Sequence, residues 1–176
     1  MLAGFAGGIV ASRLFPPFFA MAKGSIQTRA GVGPFDQLIT EHGFLLSTLD
    51  EMEQAKEGET GKRARLFLQL KRMLAKHAMA EEDVVYPLLS GPGEREAAAK
   101  QLYDEHAEMK IALFRLEQAL KGEGSWMEQV RALQSLIGPH AKQEEEVEFP
   151  RLRERLPQSK RVALGRDVLR EEAMVL

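Results

Sequence analysis

Two stretches decide the fold: HAMAEEDVVYPLL, His77 to Leu89, and HAKQEEEVEFPRL, His140 to Leu152. At a constant offset of 63 residues His, Ala, Glu, Glu, an acid, Val, an aromatic, Pro and Leu all recur. A second pair frames them at an offset of 64, where Glu41-His42 matches Glu105-His106. Glu53-Gln54-Ala55 with Gly58-Glu59 likewise matches Glu117-Gln118-Ala119 with Gly122-Glu123. The chain has four histidines, and each occupies an equivalent repeat position. Scattered core or surface histidines have no reason to fall that way, so the pattern reads as a duplicated metal-ligand signature.

The 176 residues suffice for one domain with a real core. Net charge is −2 and no Lys/Arg run is dense enough to track a phosphate backbone, which argues against a nucleic-acid partner. Cysteine is absent. That excludes disulfides, thiolate metal sites, cysteine-ligated clusters and thiol nucleophiles. A transition metal here needs imidazole and carboxylate.

Turn-forming clusters at Gly58–Gly61, Ser90–Gly93 and Gly122–Ser125 divide the chain into segments of about thirty residues. Within each the apolar period is helical. The stripes are Phe44, Leu45, Leu49 and Met52; Leu66, Leu70, Met73, Leu74 and His77; Leu102, His106, Met109, Leu113 and Leu116; and Val130, Leu133, Leu136, Ile137 and His140. Ser125 with Glu128 forms a capping box at the start of the fourth helix. Short connections between long amphipathic helices predict an all-α, antiparallel up-down-up-down four-helix bundle. Pro87 and Pro150 read as kinks or terminators, since each lacks the donor a helix interior needs.

Each histidine continues the apolar stripe of its helix and so points inward. His and Glu four residues apart lie one turn apart on one face. Two carboxylates buried among four imidazoles are costly without a cation, by several kcal/mol per unpaired ion as an order of magnitude. Two metal ions bridged by Glu81 and Glu144, each with two imidazoles, satisfy the set. Iron, manganese and zinc all suit such donors.

The sequence of a His, an HxxxE with trailing Pro, a His and a second HxxxE with trailing Pro resembles the hemerythrin-like, HHE cation-binding domains. The resemblance spans roughly Phe35 to Leu156. It implies a bundle holding two iron ions with an oxo or hydroxo bridge, manganese or zinc being less favoured. The ligands it implies are His42, His77, Glu81, His106, His140 and Glu144. Oxygen carriers of this kind have a further histidine one turn after the third-helix His, where this chain has Lys110. If nothing replaces that imidazole, each iron keeps an open sixth position. Tyr103, Glu82 and Glu145 are candidate substitutes, and Lys110, on an inward-facing position, either leads its charge outward or approaches the site.

The expectation is a cytoplasmic non-haem di-iron protein that binds or senses O2, nitric oxide or iron. Binding is favoured over catalysis. Peroxide or nitric oxide turnover, iron–sulfur repair and a metal-stabilised structural bundle are the alternatives, repair being disfavoured by the missing cysteine-bearing module.

Three domains are expected: an apolar extension over 1–34, the bundle over 35–156 and a C-terminal helix within 157–176. Met1 to Ala22 is nearly all apolar but broken by Arg13 and Pro16-Pro17. A charge at mid-bilayer disfavours a spanning helix, by roughly 2.5–3.5 kcal/mol on insertion scales. The segment reads instead as a flap on the bundle, a homo-oligomer contact or a membrane-surface contact. Gln158 to Met174 reads as a fifth helix with Val162, Leu164, Val168 and Leu169 on its apolar face.

Overall fold

The computed structural model describes residues 33–89 and 94–175, and every regular element among them is helical. Helix α1 spans Pro34–Glu53 and α2 Thr60–Ala80. Glu81–Val85 forms a π-helical turn that runs on into α3, Tyr86–Leu89. Helix α4 covers Glu94–Leu120 and α5 Trp126–Gln143. A second π turn, Glu144–Glu148, continues into α6, Phe149–Arg155, and α7 follows at Gln158–Glu172. The expected extension over 1–34 and the Ser90–Gly93 turn lie almost wholly outside the described residues. No described helix is long and apolar enough to cross a membrane.

Local chemistry sets the helix ends. Pro34 opens α1 with its φ already helical, and Asp36 accepts a hydrogen bond from the Gly33 amide at 3.2 Å. Ser125 caps α5, its hydroxyl accepting from the Glu128 amide. Between α4 and α5, Gly122 (φ 95°) and Gly124 (φ 106°) take left-handed backbone that a side chain would strain. There the Glu123 amide donates back to the Gln118 carbonyl at 2.9 Å and closes the helix end. Trp126 ties this corner to α1 by donating to the Met52 carbonyl at 3.0 Å.

The apolar stripes build two cores. One joins Leu45, Leu49, Met52, Leu66, Leu70, Leu74, Met109, Leu116, Val130, Leu133 and Ile137. The other gathers Phe35, Leu38, Tyr86, Leu89, Leu102, Phe149, Leu152, Leu164 and Val168. Each fully buried side chain of this size contributes about 1.5–3 kcal/mol, which supplies the stability that a buried polar layer consumes. That layer falls at the junction of the cores. Along α1 His42 separates Leu38 from Leu45, along α2 His77 separates Leu74 from Ala80, along α4 His106 separates Leu102 from Met109, and His140 follows Ile137 in α5. Phe44, placed on the α1 stripe by periodicity, is exposed instead, because Leu45 and Leu49 already fill the inward face.

Helix α1 packs against α2 and α5, α5 against α4, and α4 against α2, closing a helical bundle. Helix α7 lies over α2, the first π turn and α1, burying Leu164, Val168 and Leu169.

Candidate metal centre

The six residues His42, His77, Glu81, His106, His140 and Glu144 are all buried, both glutamates completely. They converge as two groups that share Glu81. Donor atoms of His42, His77, Glu81 and Glu144 lie within 4.8 Å of one another, as do those of Glu81, His106 and His140. His42 Nε2 stands 3.1 Å from Glu144 Oε2 and 3.8 Å from Glu81 Oε1. His77 Nε2 is 3.2 Å from Glu81 Oε1, His106 Nε2 3.5 Å from Glu81 Oε2, and His140 Nε2 3.4 Å from Glu144 Oε2. Each carboxylate thus faces imidazoles from both repeats.

Four further glutamates fix the imidazoles from behind. Glu41 accepts from His77 Nδ1 at 2.9 Å, Glu82 from His106 Nδ1 at 2.9 Å, Glu105 from His140 Nδ1 at 2.7 Å and Glu145 from His42 Nδ1 at 2.8 Å. The contacts run in a ring: α1 holds α2, the first π turn holds α4, α4 holds α5, and the second π turn holds α1. An ionised carboxylate only accepts, so every Nδ1 is the protonated nitrogen and every Nε2 faces inward. Carboxylate behind imidazole is the arrangement that orients metal-ligating histidines. The signal for it stood in the sequence, because the Glu before His42 and His106 and the Glu after Glu81 and Glu144 recur with the four histidines. Glu82 and Glu145, weighed from sequence as inner donors, act on the outer nitrogens instead.

Lys110 is exposed rather than inward-facing, and its Nζ pairs with Glu82 Oε1 at 2.7 Å. It supports His106 at one remove. Tyr103 is partly exposed and donates to the Glu82 carbonyl at 2.7 Å, away from the inner donors.

The residue that sequence reasoning passed over is Tyr86. Its hydroxyl donates to Glu144 Oε1 at 2.7 Å and lies 3.0 Å from His106 Nε2, 3.4 Å from His140 Nε2 and 3.4 Å from Glu81 Oε2. Five residues beyond Glu81, it would stand about 140° away on an ordinary helix. The π turn absorbs one extra residue, about 100° of rotation, and returns Tyr86 to the face that carries His77 and Glu81. The amides of Tyr86 and Phe149 accordingly donate to the carbonyls of Glu81 and Glu144, five residues back. Pro87 and Pro150, expected to kink or stop the helix, follow these turns without ending it. The π turn accommodates the missing donor one residue later.

The electrostatics are those of a cation site. Burial opposes charge on Glu81, yet His77 and His106 outweigh it and hold this carboxyl well below its usual range. Burial likewise opposes the His77 imidazolium, but Glu81 and Glu41 push its pKa up to about 10, and the same contest raises His106 to about 9. Protons bound there stand where cations are wanted. Burial and the Glu81 and Glu144 charges raise the Tyr86 phenol well above its ordinary value. His42 Nε2, His77 Nε2, Glu81 Oε1 and Glu144 Oε2 are buried without a hydrogen-bond partner. Leaving a charged or polar atom so placed costs on the order of 1–3 kcal/mol or more. All four orphans belong to one donor group, and His106 and His140 bring their Nε2 atoms within 3.1 Å of each other. Imidazole and carboxylate donors so arranged fit divalent or trivalent metal ions.

A cleft of about 420 Å³ between α2 and α4 reaches this layer from outside. Leu74, Ala78, Met79, Met109 and Leu113 wall it, with His106 and Glu82 along it.

The chain is similar over 122 residues, at 30% identity, to a protein from Nostoc sp. named as a DNA nickase. The match covers 69% of this chain but 34% of that protein, so the chain spans about a third of its relative. The family model for the hemerythrin HHE cation binding domain matches residues 28–152, most of the chain and all of the histidine–glutamate layer. This protein belongs to the hemerythrin HHE cation-binding family.

Proposed function

We propose that the chain is a carboxylate-bridged di-iron protein that binds or senses a small diatomic ligand, O2 or nitric oxide. His42 and His77 would hold one metal, His106 and His140 the other, with Glu81 and Glu144 between them. The observation that carries this reading is the double orientation of the imidazoles: each Nδ1 is tied to its own carboxylate, and each Nε2 meets the buried glutamates. Bound iron would supply the redox and Lewis-acid chemistry that diatomic ligands require. An up-down-up-down order fits the cores, since the passage from one cluster to the other reverses with each successive long helix. The apolar cleft toward His106 suits a small uncharged molecule better than a charged metabolite.

The test is metal analysis of the purified chain together with its absorption spectrum before and after O2 or nitric oxide. Two irons per chain and a ligand-dependent spectrum are expected. Two metals without any spectral response would favour a structural role, and fewer than two would overturn the dinuclear assignment.

The Nostoc relative supports a second reading, a metal-dependent nick in a DNA backbone. Here the net charge of −2 offers little attraction for phosphates. Incubating the iron-loaded chain with supercoiled plasmid decides it: open circles that form with wild type and vanish with His77→Ala would establish nicking.

A further inference from the structure

We propose that Tyr86 is itself a metal ligand, its phenolate oxygen completing the donor set of His106 and His140, so that the two metals are chemically unequal. This rests on the dinuclear reading above. The two donor groups close differently without it: donor atoms of His42, His77, Glu81 and Glu144 all lie within 4.8 Å of one another, whereas His106 and His140 share that closeness with Glu81, and Glu144 meets His140 from 3.4 Å. The Tyr86 oxygen lies 3.0 Å and 3.4 Å from the two Nε2 atoms of the smaller group and 3.4 Å from Glu81 Oε2. It adds an oxygen to that closer set.

Its position differs in kind from that of the orienting carboxylates. Glu41, Glu82, Glu105 and Glu145 all touch Nδ1, the outward nitrogen, whereas Tyr86 touches Nε2, the nitrogen left for a metal. The residue is fully buried and held against Tyr103 edge to face, with ring centroids 5.1 Å apart. The π turn gives it this place, and the matching π turn gives Phe149 the equivalent one. Phe149 has no oxygen to offer and stacks parallel to His42 at 6.1 Å, beside the group that already has four donors.

Binding releases the phenolic proton, one per chain, to solvent, with Glu144 Oε1 at 2.7 Å as its first acceptor. No electron moves in this step. A cation at that point reverses the preference that keeps an uncoordinated buried phenol neutral.

The experiment loads the full chain with ferrous iron without O2, oxidises it with ferricyanide, and records visible absorption and resonance Raman spectra. The chain has two tyrosines, Tyr86 and Tyr103, so two variants resolve the assignment. Wild type and Tyr103→Phe should show a phenolate-to-iron charge-transfer band with enhanced ring modes. Tyr86→Phe should lose both while retaining folded far-UV dichroism. Should Tyr86→Phe bind iron poorly, ring-deuterated tyrosine in Tyr103→Phe still reports, because the enhanced modes must then shift. Two bound irons with no phenolate modes in wild type, or the same band in Tyr86→Phe, would overturn the ligand assignment alone. A wild-type chain that takes up no iron would overturn the dinuclear reading and this one together.

Discussion

The two repeats place the same chemistry on the same backbone and then surround it differently. In both, a histidine sits in the last turn of an α-helix, a glutamate opens the π turn that follows, and the next glutamate reaches an imidazole on another helix. The aromatic after the π turn is Tyr86 in one and Phe149 in the other. Helix α7 covers α2 in the first repeat, where Glu172 and Lys76 stand behind Glu41. Glu105, the counterpart of Glu41, keeps the matching glutamine, Gln101 Nε2 at 2.8 Å, and has no lysine or second carboxylate beside it among the described residues. The histidines and glutamates of the buried layer are kept equal between the repeats, and the neighbours make the two sides distinct.

The largest effect should come from removing one imidazole per repeat. His77→Ala and His140→Ala each leave a buried carboxylate short of a partner, a class of change that costs about 3–5 kcal/mol. Metal content after exhaustive dialysis should fall clearly below two per chain in both, with a matching drop in melting temperature. If Tyr86 ligates, His140→Ala keeps His106, both glutamates and the phenol, whereas His77→Ala keeps His42 and both glutamates, so His140→Ala should retain more metal. Equal losses would make the repeats equivalent, and full occupancy in both would sink the site.

Much of this architecture is legible because helical period and metal chemistry share one spacing. His77 and Glu81 fall on one face whether the helix buries them for packing or for ligation, so the inward direction of all four histidines follows from Leu45, Leu49, Leu70, Leu74, Leu102, Met109, Leu133 and Ile137. The π turns are not legible in that way. An HxxxE spacing looks the same in an α-helix and at the mouth of a π turn, so Tyr86 reads as pointing about 140° away while Tyr103, near His106, draws attention. Lys110 misleads for a related reason: one turn from His106 is the right row, but a four-carbon stem carries its amine out to Glu82. The outer carboxylates repeat as faithfully as the six inner residues. Their role needs three-dimensional partners, since each acts on a histidine of another helix.

Those outer carboxylates supply the next comparison. Glu105→Gln and Glu145→Gln weaken the hold on His140 and His42, and changes of this type typically lower metal affinity about 10–100-fold. Competition against a chelator measures it, and two metals should still bind at saturation. Glu82→Gln should do the same for His106. Lys110→Ala should change affinity far less, because an exposed pair is worth about 0–1 kcal/mol. Affinity that falls as much for Lys110→Ala as for Glu105→Gln would give the lysine a direct part in the site. Lys110→His should likewise leave the iron spectrum unchanged.

The smallest expected effect lies where α7 covers the first repeat. Gln37 Nε2 donates to Glu172 at 2.7 Å and to Glu41 at 3.3 Å, and Lys76 Nζ bridges the same two carboxylates at 3.4 and 3.2 Å. Burial opposes charge on Glu41, but the His77 N–H and Lys76 hold its pKa down at about 2. Glu172 is the loser of that competition: burial and the Glu41 charge raise it to about 7, against the pull of Lys76. A carboxyl raised on folding binds its proton more tightly in the native state. Its stabilising contribution is therefore fully present below the unfolded value of about 4.5 and is lost as pH rises through about 7. Glu172→Gln imitates the protonated form, so it should raise stability at pH 8, by on the order of 1 kcal/mol, and raise it less at pH 5. Melting curves of metal-free wild type and variant at the two pH values give the comparison. A gain that is equal at both, or a loss at pH 8, would mean that the Lys76 pair outweighs the burial and repulsion acting on Glu172.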